Sequence, residues 1–196
     1  MSEITAAMVK ELREQTGAGM MDVKRALTEA GGNMEEATKI LRKKGLAAAT
    51  KKAGRVTSEG AVQAYTSDNV GALVEVNCET DFVARTDDFR HLAYEVALHV
   101  AAANPAYLDT SAIPEEVLAR KRSELAEQMR STGSDEDQIA RTIDGRLDRW
   151  IEEVALLEQP YVRDPKQTVR QLILGVGAKT GENIRVGRFA RFKIGE

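Results

Sequence analysis

Between Ala53 and Gly60 the spacing of the apolar residues changes from a helical period to strict alternation, and this switch divides the chain into two differently built parts. Upstream, Met8, Val9 and Leu12 recur at helical spacing in a segment from about Ala6 to Thr16, with Thr5 as a plausible N-cap and Gly17 and Gly19 as a stop. A second segment runs from about Met20 to Ala30 and ends at Gly31-Gly32. A third begins at Asn33, where Glu36 completes a capping-box pattern, and is expected to end at Gly45. Residues 46–53 (LAAATKKA) then read as a linking helix. Three short helices with glycine turns describe a compact bundle near the lower size limit for independent folding. It is either a plain scaffold or a binding module of the ubiquitin-associated type.

Downstream, Gly60–Thr66 and Ala72–Cys78 alternate about Ser67-Asp68-Asn69, the pattern of a β-hairpin. Leu92, Ala93, Val96, Ala97 and Val100 form one stripe of a helix that Asn104-Pro105 breaks. Pro114 is expected at the first position of another helix. Ser134 with Asp137 is expected to open the next, carrying Ile139, Ile143, Leu147 and Ile151. Asp164-Pro165 is expected to open a further helix through Leu172 and Ile173. Asn183–Ile194 reads as a closing strand with Ile184, Val186, Phe189 and Phe192 in alternation. The expected fold is therefore α+β. Residues 1–54 make a three-helix module and linker, and residues 55–196 a core with a small antiparallel sheet covered by helices.

Charge and cysteine content narrow the classes of function. The 196 residues carry a net charge of -3, unevenly spread: residues 1–54 hold 10 Lys/Arg against 7 Asp/Glu, leaving 18 against 24 in the rest. A modestly basic head on an acidic body suits an acidic protein partner better than nucleic acid. Only 5% of residues are aromatic, which argues against base-stacking platforms. Cys78 is the single cysteine, so no intrachain disulfide forms and a reducing cytoplasm is the natural setting. The N-terminal segment has no apolar signal core, and no run of apolar residues is long enough to span a membrane.

Candidate catalytic chemistry is sparse. His91 and His99 lie eight residues apart with no third ligand at fitting spacing, so no metal site is expected. Asp87-Asp88 suits a helix N-terminus better than acid–base work. Residues 175–180 (GVGAKT) resemble a phosphate loop only superficially, because Ala178 and Ile173 stand where the pattern requires glycine. No cofactor and no direct nucleotide binding are expected. The segment Cys78-Glu79-Thr80-Asp81-Phe82-Val83 stands apart, joining the hairpin to a helix. Phe82, one of four phenylalanines, either caps the core or projects as an anchor for a partner, and Asp81 either serves that contact or favours a helix N-terminus.

Five stretches together resemble the elongation factor Ts family: ITAAMVKELREQTGAGMMDVKRALTEAGGNMEEA, VEVNCETDFVAR, LHVAAANP, GRLDRWIEEVALLEQPYV and GENIRVGRFARF. The resemblance covers essentially the whole chain. It implies a guanine-nucleotide exchange factor for elongation factor Tu and no enzyme active site. It implies that Met20 and Lys24 dock on the nucleotide-binding domain of elongation factor Tu. Thr80, Asp81, Phe82 and Val83 would reach that domain near its Mg²⁺ and phosphate site, with Phe82 as a wedge, and His99 would press beside the phosphate loop. Many members carry two pseudo-repeated core halves, whereas this chain has one. The resemblance therefore also implies a homodimer and a two-plus-two complex with elongation factor Tu.

Overall fold

The computed structural model describes residues 4–196. The helices α1 (Ala6–Thr16), α2 (Met20–Glu29) and α3 (Met34–Thr50) pack on one another around Leu12, Val23, Ala26, Leu27, Ala37 and Leu41. Thr5 caps α1 by accepting from the Met8 N–H, and Gly17 closes it at φ +65°, as the sequence pattern requires. Asn33 caps α3 by accepting from the Glu36 N–H, while the Glu36 carboxylate turns to Lys39.

Gly45 does not end α3. The helix runs through it to Thr50, so the third helix and the linking helix are one element. The reason is tertiary. At Gly45 the helix crosses α8 (Val169–Thr180), and a Cβ there would lie 3.1 Å from that of Ala178. The glycine admits a close crossing, which outweighs its weak intrinsic preference against helix.

Beyond the linker, β1 (Glu59–Thr66), β2 (Val70–Cys78) and β5 (Arg185–Lys193) form an antiparallel sheet in the order β1-β2-β5. One face carries Ala72, Val74, Val76 and Cys78 into a core shared with α5 (Asp87–Ala103) and α8. The alternation in β5 breaks at Gly187, because Glu75 pairs with Arg188 and Val76 with Val186, a bulge of one residue. Val186 and Phe189 therefore both face inward, and Phe192 lies on the opposite, open face.

Three helix starts differ from the sequence reading. Pro114 is the N-cap of α6 (Glu115–Ser131) and not its first residue. α7 (Glu136–Val154) begins at the reciprocal capping box Asp135–Gln138, one residue later than Ser134, whose N–H bonds back to Met129 at the end of α6. Asp164-Pro165 opens no helix: Asp164–Thr168 is a strand, β4, paired with β3 (Pro160–Tyr161). The Asp164 carboxylate accepts from the Lys166 N–H and the Gln167 side chain within that strand. The capping box of Thr168 and Gln171 starts α8 instead. The remaining helix, α4, is the single turn Asp81–Ala84 between β2 and α5.

Candidate partner-binding site

β2 delivers the chain to α4 with its last inward residue, Cys78, fully buried. Burial pushes the Cys78 thiol up to about 11, and its Sγ–H reaches the Thr80 carbonyl at 3.2 Å, so it is an unreactive packing residue. Thr80 then caps α4, its hydroxyl oxygen accepting from the Val83 N–H. One helical turn follows, and it sorts its side chains sharply. Val83 points into the core at 6% exposure, whereas Phe82 is 79% exposed. Asp81, also exposed, pairs with Arg85 at 2.9 Å. The two readings left open for Phe82 are thereby separated: it caps no core. An exposed phenylalanine ring forgoes about 1.5–3 kcal/mol of burial. Here it does so on a turn fastened below by Val83.

The four residues of the Thr-Asp-Phe-Val segment thus converge on one turn. Met20 and Lys24 lie elsewhere, on the exposed face of α2. Met20 is 59% and Met21 66% exposed, and they line a groove with Val9, Lys10, Arg13 and Lys24. Glu14 joins the rim and pairs with Lys10, so flexible apolar side chains sit among three cations and one carboxylate.

His99 lies inside the core domain. It has no solvent exposure, because Leu92, Val96, His99 and Val100 share the inward stripe of α5. Its Nδ1 accepts from the Val162 N–H at 3.3 Å, and its Nε2 faces Gln159 Oε1 at 2.9 Å, which sets the proton on Nε2. Burial holds its pKa below the ordinary value. Within the chain this ring supports Gln159 and Val162 from inside.

The sequence reading passed over the groups that fasten the turn. Glu182 and Asn183, just after α8, bond to Glu79 and Thr80. Only an acid and an amide after a glycine C-cap mark them in the sequence, a common combination with no specific signal. The GVGAKT stretch forms the C-terminal half of α8, where unpaired carbonyls rather than N–H groups face outward.

The family model for elongation factor TS matches residues 2–196. The chain belongs to the elongation factor Ts family. Relatives named elongation factor Ts include that of Carboxydothermus hydrogenoformans, 51% identical over 195 residues, covering 98% of this chain and 90% of the relative. The one from Thermoanaerobacter sp. is 52% identical over 195 residues, 98% of this chain and 96% of the relative. That of Desulfitobacterium hafniense is 50% identical over 198 residues, 100% and 91% respectively. An elongation factor Ts is a translation elongation factor, and the α+β architecture with its N-terminal helices is that of the family. No helix among the described residues is long and apolar enough to cross a membrane.

Proposed function

We propose that the protein is a cytoplasmic guanine-nucleotide exchange factor for elongation factor Tu, and that its action is binding without covalent chemistry. The single observation that carries this reading is the exposed Phe82 on a turn anchored by Val83. In this reading Thr80, Asp81, Phe82 and Val83 form the element that disturbs the Mg²⁺ and phosphate site of elongation factor Tu. Phe82 wedges into the partner, Asp81 brings negative charge beside the metal, and Thr80 and Val83 hold the turn. Met20 and Lys24 dock the N-terminal helices, residues 1–54, on the nucleotide-binding domain, and His99 acts only by supporting its neighbours.

The mechanism is linkage. The factor binds nucleotide-free elongation factor Tu better than the GDP-bound form, so it weakens GDP by the same factor by which GDP weakens it. A phenylalanine buried only in the nucleotide-free complex supplies about 1.5–3 kcal/mol, roughly ten- to a hundredfold in relative affinity. Release is accelerated in both directions, and GTP excess sets the outcome. The chain itself needs neither cofactor nor nucleotide.

We also propose that the core, residues 55–196, dimerises through the open face of its sheet. Val62, Leu73 and Phe192 are exposed there, with Ala64 paired to Leu73 and Leu73 to Ala190. An uncovered apolar sheet face is the kind of surface a second copy buries. The complex with elongation factor Tu is then two-plus-two.

The deciding experiment is release of labelled GDP from the cognate elongation factor Tu with and without this protein. Strong acceleration is expected, with no heat of binding when GDP or GTP is titrated into the protein alone. No acceleration would refute the exchange reading.

A further inference from the structure

The turn that carries Phe82 is short, and a single helical turn does not hold itself in water. Val83 and the partly buried Ala84 fix its inner side, and the Thr86 hydroxyl donates to the Val83 carbonyl at 2.8 Å. A further constraint comes from the far end of the chain. Glu182 follows Gly181, which closes α8 at φ +79°. The Glu182 carboxylate accepts three hydrogen bonds from the entry to the turn. Oε2 accepts the N–H groups of Glu79 at 3.0 Å and Thr80 at 3.1 Å, and Oε1 accepts the Thr80 hydroxyl at 2.6 Å. Bonds to an ionised acceptor are the stronger kind, and three on one carboxylate fix direction as well as position.

Asn183 extends the same joint. Its N–H donates to Glu79 Oε1 at 2.6 Å, and its side-chain amide donates to the carbonyls of Ala53 at 3.1 Å and Arg55 at 2.9 Å. Lys52 closes the set by donating to the Gly181 carbonyl at 2.7 Å. Residues 181–183 thus bind the entry to α4 on one side and the chain leaving α3 on the other. Their path is possible because a Cβ on Gly177 would come within 2.9 Å of the Glu182 carbonyl oxygen, so glycine at 177 lets the chain fold back over α8.

We propose that Glu182 is a positioning residue for nucleotide exchange: with Asn183 it holds the Phe82 turn and the root of the N-terminal helices in one fixed relation, so that both engage elongation factor Tu together. The inference rests on the exchange-factor reading above. A wedge already aimed spends its contact energy on the nucleotide-free state, whereas a loose one loses part of that energy to its own ordering. Loss of Glu182 therefore lowers the maximal exchange rate more than the affinity that the N-terminal helices supply.

The test compares full-length wild type, Glu182→Ala and Glu182→Gln. In Glu182→Ala, amide hydrogen exchange at Glu79 and Thr80 should quicken by about ten- to a hundredfold, the scale of losing bonds to a charged acceptor. The maximal rate of GDP release from elongation factor Tu should fall about tenfold, while the half-saturating concentration moves by no more than about threefold. Glu182→Gln keeps one acceptor oxygen and should recover part of both effects. Unchanged protection at Glu79 and Thr80, or an unchanged maximal rate, overturns the inference. So does a fall in rate that merely tracks a lowered melting temperature and is not relieved in Glu182→Gln. If wild type does not accelerate GDP release, the exchange reading fails instead. The amide protection then decides by itself whether Glu182 aims the turn.

Discussion

Phe82 and Val83 are adjacent, yet one is in water and the other in the core. Their substitutions should separate cleanly. Phe82→Ala removes an exposed ring, so the melting temperature should hardly move. Its exchange activity should fall by the equivalent of about 2 kcal/mol or more, the usual cost of truncating a central aromatic anchor. Val83→Ala should cost about 2 kcal/mol of stability from lost methyl burial and the cavity left behind. Thermal melts and GDP release on the same two variants check both. An intact melt with full activity in Phe82→Ala would remove the wedge from the mechanism. His99 supplies a second residue-scale prediction. Its pKa is lowered in the fold by burial, so the unfolded chain binds more protons in acid. The stability that His99 contributes is complete above its ordinary pKa of 6.5 and declines as pH falls below it. Carboxylates lowered in the fold, such as Glu75 and Glu136, act only from about their ordinary 4.5 downward. Urea melts between these values should therefore show a slope that His99→Gln reduces, and a flat profile in wild type would contradict the buried neutral ring.

At the scale of elements, the N-terminal helices have a core of their own, and none of its residues belongs to the cluster under the sheet. We expect deletion of residues 1–54 to leave the sheet, α5 and α8 folded while weakening binding to elongation factor Tu. Circular dichroism and a binding titration of the truncated protein measure the two outcomes. Unchanged affinity would assign the helices another task. The truncated protein should also melt lower, because α3 covers α8 at the Gly45–Ala178 crossing and Lys179 packs over Gly17 while pairing with Asp88. That crossing is also where sequence reading met its limit for elements. Gly45 looks like a stop when only local preference is considered, and Asp164-Pro165 looks like a start. In both cases a neighbouring element decides: α8 in the first, the β3 partner strand in the second. The start of α7 is read one residue early, at Ser134 instead of Asp135, and the capping box at Thr168 goes unread, since several nearby Ser, Thr and Asp residues compete for the same role.

For the whole molecule the open sheet face, with Val62, Leu73 and Phe192 exposed, is the surface on which the proposed dimer rests. Light scattering at micromolar concentration should give twice 21.5 kDa, and Leu73→Asp should shift it to the monomer, because a carboxylate at the middle of the buried face would lose its water. A clean monomer in wild type, both free and with elongation factor Tu, would end the two-plus-two proposal without touching the exchange function.

Sequence alone was enough for the change of period near Gly54, the hairpin with its turn, the inward stripe of α5 and the membership of the family. These depend on local spacing and on motifs that lie contiguous along the chain. It left Phe82 undecided between core and surface, because a strand-to-helix junction supports either outcome until neighbouring elements fill one side. The partner contact proposed for His99 comes from the resemblance alone, and the stripe it shares with Leu92, Val96 and Val100 runs inward. Tertiary packing places both side chains. It brings residues about a hundred apart, Thr80 and Glu182, onto one carboxylate. It turns Phe192 outward through the bulge at Gly187. Such outcomes follow from which surfaces meet, and spacing along the chain does not encode that.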